Sequence, residues 1–161
     1  MKTFTVTQKI LSIGATYLVR AESNDSILYT IKGKVLTLSP KLEMKQGEDG
    51  AVTRLMQGNF FSTKFTITEP DGTQKGFIQF PFFSFIAKFT LTIGTETYNA
   101  KGGFTARKFS CTDAAGNIKF TVSKELAFRD KFMVTLDESI PEETAILAAV
   151  AIDQRFFQQK S

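Results

Sequence analysis

One short pattern recurs along the chain: an apolar residue, a small one and another apolar, two linkers, Lys or Thr, then an apolar or aromatic residue. It reads LSIGATY from Leu11, LTLSPKL from Leu36, FSFIAKF from Phe83 and LAFRDKF from Leu126. Two copies shorter by one residue, FFSTKF from Phe60 and FTARKF from Phe104, fall in the gaps. Successive starts are about 23 residues apart, so six units build the molecule from one repeated supersecondary element.

Within a unit the residues after the pattern alternate, as in KFTIT from Lys64, KFTLT from Lys88 and KFTVS from Lys119. Period two in Phe, Thr, Val and Ile is the signature of half-buried antiparallel strands. Turn clusters punctuate them: SNDS at Ser23, GEDG at Gly47, PDG at Pro70, IGTE at Ile93 and DAAGN at Asp113. Two strands per unit give about twelve strands in up-and-down order. Closure is the arrangement that removes both sheet edges. The expected fold is mainly β: an antiparallel, about twelve-stranded closed barrel formed by residues 1–161 as a single domain.

Eight consecutive apolar residues, AILAAVAI at 145–152, have no polar face and must be hidden on every side. As a helix they rise about 12 Å, against roughly 30 Å for the hydrocarbon core of a bilayer. Upstream, Ser139, Pro141 and Glu142 have the spacing of a capping box with Pro in the first turn, so a helix is expected over 141–157. A twelve-stranded barrel has a lumen too wide for side chains alone, and a helix about 10 Å across fits it. The segment is therefore expected to plug the barrel. Asp153, closing the apolar run, then needs Arg155 or a barrel lysine as partner, or water.

The chemistry-bearing residues are sparse. There is one cysteine and no histidine, which leaves Cys111 without an activating base and a zinc site without its usual nitrogen ligands. Asp113, Asp130, Asp137 and Glu138 suit turn and strand-end roles. No catalytic residues, metal site or cofactor are expected. A lone cysteine fits a reducing compartment, here the cytoplasm. Ser12, Gly14, Thr16 and Arg20 interrupt any signal-peptide core near the N-terminus, and Asn24-Asp25-Ser26 reads as a polar turn. KGFIQF from Lys75 echoes an RNA-recognition segment but lacks the flanking helices, so no nucleic-acid partner is expected.

The charge of +4 makes the surface mildly basic. Two groups of cations stand out: Lys32 and Lys34 in IKGK, and Lys101, Arg107 and Lys108 around Gly102-Gly103. On one barrel face they would hold an anionic phosphate, such as a lipid headgroup, or an acidic membrane surface; the alternative is a solvated exterior balanced by nearby acids, since 22% charged residues is an ordinary surface. The most aromatic window, FPFFSF from Phe80, has two readings: an exposed tip that dips into a membrane or binds a partner, and the expected one, in which alternate residues point into the lumen and Pro81 marks a bend or an edge.

The F/L-S-F/L motif followed by Lys-Phe, the IKGK at 31–34 and the AILAAVAID at 145–153 resemble the LURP-one-related family, which belongs with tubby C-terminal domains and phospholipid scramblases. The resemblance spans nearly the whole chain and implies a tubby C-terminal-like barrel of twelve strands around a hydrophobic C-terminal helix. The chain departs from better-known relatives in having no palmitoylation cysteine cluster, no proline-rich N-terminal extension and no Asp-rich calcium loop. The expected function is a monomeric, non-enzymatic binding module for anionic phospholipid headgroups or a protein partner. The alternatives are a membrane-associated scramblase-like protein, and a structural or interaction domain with no small ligand.

Overall fold

The computed structural model describes residues 1–11, 14–33, 39–83, 86–102, 107–124 and 130–157. Twelve strands follow one another: β1 Lys2–Leu11, β2 Gly14–Ala21, β3 Ile27–Gly33, β4 Lys41–Gln46, β5 Val52–Gly58 and β6 Lys64–Thr68. Then come β7 Gln74–Gln79, β8 Lys88–Ile93, β9 Glu96–Gly102, β10 Lys108–Thr112, β11 Ile118–Ser123 and β12 Lys131–Leu136. Each pairs antiparallel with its neighbours in sequence, and β12 pairs with β1 from Lys2↔Leu136 to Thr7↔Lys131, closing the barrel. The repeat is thus a connection, a strand, a tight turn and a strand. Gly47, Gly72, Gly94 and Gly116 supply positive φ in four of those turns, where a Cβ would be strained.

Inside runs α1, Glu142–Ile152, with every residue from Thr144 to Ile152 buried. Nearly every strand contributes two inward side chains against it, such as Phe65 and Ile67 from β6 and Phe89 and Leu91 from β8. The four alanines of α1 keep the plug slim, and the apolar run is enclosed by protein, as its sequence demands. Among the described residues no helix is long and apolar enough to span a bilayer. The helical stretch ends differently from the sequence expectation: α1 stops at Ile152 and residues Asp153–Phe157 form a wider π turn, η1.

The start of the helix also departs from expectation. Pro141 occupies the N-cap and no side chain caps the first turn. The Ser139 hydroxyl donates instead to Asp137 Oδ2, which also accepts the Ser139 amide at 3.0 Å. A carboxylate two residues away captures the residue a capping box would use. What holds the start is a polar collar at the barrel mouth. Tyr29 Oη donates to Glu142 Oε2 at 2.6 Å, and Lys2 and Arg54 lie 3.8 Å from Glu142 and Glu143. Burial, and then the hydrogen bond to Glu142, push the Tyr29 phenol well above its ordinary range.

Antiparallel alternation gives the barrel two distinct ends. At the entry end, where α1 enters, odd strands begin and even strands finish. At the far end, even strands begin, and here Lys41-Leu42, Lys64-Phe65, Lys88-Phe89, Lys108-Phe109 and Lys131-Phe132 open β4, β6, β8, β10 and β12. The second residue of each pair points into the lumen and is buried. Room for the rings comes from glycine. Gly58 and Gly102 end β5 and β9 in register with Phe65 and Phe109, and a Cβ on either would lie within 2.8 or 2.7 Å of the opposite ring.

Candidate functional site: the basic end of the barrel

One dipeptide, repeated, builds two rings at the far end. Strand alternation turns the aromatic or leucine inward and the lysine outward. The inner ring clasps the end of the helix. Phe156 stacks on Phe109 at 4.9 Å and meets Phe80 edge-on at 5.5 Å, while Phe157 lies 6.2 Å from Phe132. The buried Asp153 receives Tyr17 Oη at 3.2 Å and pairs with Lys124 at 3.5 Å. Of the two partners the sequence left open, the barrel lysine is therefore the one used. Arg155 instead donates to the Pro81 carbonyl at 3.3 Å and lies 5.7 Å over the Phe80 ring.

The outer ring is cationic. Lys41, Lys64, Lys88 and Lys108 are exposed and Lys131 half-buried. Lys9, Lys32 and Lys101, near the ends of β1, β3 and β9, and Arg107, just before β10, add exposed positive charge at the same end. With Lys124 and Arg155, this end holds eleven of the seventeen basic residues among the described residues.

Carboxylates gather at the other end. Twelve of the sixteen Asp and Glu residues lie in the entry-end turns, at the start of β9 or around the start of α1. Of the other four, Glu43 is mid-strand in β4, Asp130 precedes β12, Asp153 is buried, and Glu125 lies outside the described residues. The entry-end cations are largely neutralised by Lys45–Asp49, Arg54–Glu69, Lys75–Glu69 and Lys119–Asp137 contacts of 3.2–4.0 Å, besides those to the helix start. Three turn carboxyls there sit below their ordinary range, Asp71 through the Thr73 amide, Asp113 through the Asn117 amide and Asp137 through the Ser139 hydroxyl.

The structure separates the cations singled out in the sequence. β3 and β9 are six strands apart in a ring of twelve, so Lys32 stands on the wall opposite Lys101. From the strand spacing, that ring is roughly 20 Å across. No single headgroup touches both. Lys34 lies outside the described residues. Lys101 and Lys108 are brought together on adjacent strands, Lys101 opposite Ser110 and diagonal to Lys108, with Arg107 beside them.

Lys88 belongs to the same strip, directly opposite Lys101 in the β8–β9 register. Facing side chains at that spacing, about 5 Å between Cβ atoms, repel when both are positive. Sequence reasoning passed over Lys88, Lys64 and Lys41, although the signal was present in the phase of the repeat. Between β5 and β6, Leu55, Gln57, Asn59, Lys64 and Thr66 line an open groove of about 380 Å³, whose one charged side chain, Lys64, reaches across the Phe77 ring at 4.3 Å.

Other candidates resolve as structure. Cys111 is buried on β10, where desolvation holds its thiol well above its ordinary pKa. Among the described residues no three His, Cys, Asp or Glu side chains gather as metal ligands do. The aromatic window splits: Phe80 is buried, whereas Phe82 and Phe83 face solvent, and Phe85 lies outside the described residues.

A protein of Arabidopsis thaliana solved by X-ray crystallography shares the fold, with a TM-score of 0.63 over 95% of this chain and 91% of that one, at 10% sequence identity. No curated protein matches the sequence. The family model described as LURP-one-related matches residues 2–153, from the first residue of β1 to the buried Asp153 that ends the apolar run. The chain belongs to the LURP-one-related family.

Proposed function

We propose that this protein is a non-enzymatic module that docks end-on to an anionic phospholipid surface through the far end of its barrel. The observation that carries this reading is charge segregation: cations ring one end and carboxylates crowd the other. A ring roughly 20 Å across is too wide for one headgroup but matches a plane of them. Each Lys or Arg held near such a surface is worth about 1 kcal/mol at physiological ionic strength. The anionic cytoplasmic leaflet is the membrane this chemistry suits. The opposed acidic end adds orientation, since the same field that draws the far end inward repels the entry end.

Vesicle flotation tests the proposal. The protein is expected to float with phosphatidylcholine vesicles containing phosphatidylserine and not with phosphatidylcholine alone, and salt should release it. Lys88→Gln, Lys101→Gln and Lys108→Gln together remove about 3 kcal/mol, weakening binding on the order of 100-fold. Their exposure predicts an unchanged melting temperature. Equal binding to neutral and anionic vesicles, or an undiminished triple variant, would contradict the reading.

A further inference from the structure

We propose that an exposed phenylalanine ridge beside the basic ring enters the boundary between headgroups and acyl chains, making the partner a bilayer and not merely a polyanion. This rests on the docking reading above and supplies the apolar half of the same surface. The ridge is formed by Phe60 and Phe61 in the β5–β6 connection and Phe82 and Phe83 in the β7–β8 connection, and Ile86, later in that second connection, is exposed too; the five are between 54% and 86% exposed. Among the described residues these are five of the seven large hydrophobic side chains left exposed. The four rings touch in sequence, with centroids 5.2 Å apart for Phe60–Phe61, 5.8 Å for Phe61–Phe82 and 4.8 Å for Phe82–Phe83. A contiguous apolar patch of this kind in water marks a binding surface.

The patch is held in place from behind. Asn59 Oδ1 accepts from the Thr63 amide at 2.8 Å and the Lys64 amide at 3.2 Å, closing the first connection. The Phe80 amide donates to the Thr63 carbonyl at 2.7 Å, tying the second connection to the first. Phe80 turns inward against Phe156, whereas Phe82 and Phe83 stay outside. Charge identifies the occupant. Neither connection contains a carboxylate, and each leads directly into an exposed lysine, Lys64 or Lys88. Aromatic side chains at a cationic margin match a membrane interface, where rings lie about 5–10 Å deep and cations meet phosphate.

The chain has no tryptophan, so Phe83→Trp provides a single reporter in the full-length protein. With phosphatidylcholine–phosphatidylserine vesicles, its emission should shift to the blue and be quenched by brominated acyl chains. Phe82→Ser with Phe83→Ser should weaken vesicle binding by at least about tenfold while leaving retention on heparin, a polyanion without an apolar interior, and the melting temperature unchanged. Vesicle binding with no quenching, or a double variant that binds as tightly as its parent, overturns the insertion while leaving charge docking intact. A parent that ignores anionic vesicles overturns both. Self-association abolished by the same double variant would assign the ridge to a second copy of the chain and overturn the proposal.

Discussion

Asp153 and Lys124 form an ion pair with side chains only 1% and 8% exposed. Charges so far from water are tolerated because each meets the other, with Tyr17 adding a hydroxyl to the carboxylate. Removing one partner is more damaging than the pair is stabilising, since the survivor keeps its desolvation cost. Asp153→Ala is expected to lower unfolding free energy by about 3–5 kcal/mol, measurable by urea denaturation. A loss below about 1 kcal/mol would show that Lys124 finds water or another acceptor. That Asp153 requires a partner follows from the sequence alone. Its identity depends on which strand end lies beside the end of the helix, and that is a property of the closed ring. The same limit hid Lys88: alternation fixes which face of a strand a residue occupies, while its neighbours across the wall require the register.

At the scale of elements, α1 is a filling whose stability comes from surroundings and not from its own caps. Its first turn has no side-chain cap, and its residues from Thr144 to Ile152 are buried. Ala149 sits at 0% exposure in the Ala-rich middle. Ala149→Asp would place an unpaired charge there, and the expected cost of about 5 kcal/mol or more should abolish cooperative thermal unfolding near the parent's transition. A variant that melts normally would mean that the helix can leave the lumen. The strands were the most legible feature of the sequence, because a repeat, an alternation and a set of turn residues agree in phase. The aromatic window was misread for a physical reason. Alternation holds only inside a strand, and β7 ends at Gln79, just before Phe80 and Pro81. Beyond that point the side chains follow a connection, and Phe82 and Phe83 turn outward together.

The whole molecule is a cylinder with a polarity. A net charge of +4 conceals it, because twelve carboxylates at one end and eleven cations at the other largely cancel in the sum. Composition therefore described an ordinary surface, and the segregation became visible only when up-and-down topology sorted alternate connections to opposite ends. The proposed docking predicts an orientation, with the far end at the membrane and the entry end in water. Depth measurement by electron paramagnetic resonance tests this directly, with nitroxide labels at Ile86→Cys in the far-end β7–β8 connection and at Asp71→Cys in an entry-end turn, Cys111 being buried. On phosphatidylserine-containing vesicles, the label at 86 should gain accessibility to oxygen and lose it to a water-soluble nickel chelate, while the label at 71 stays as accessible to the chelate as in solution. Equal protection at both positions, or deeper burial at 71, would contradict end-on docking.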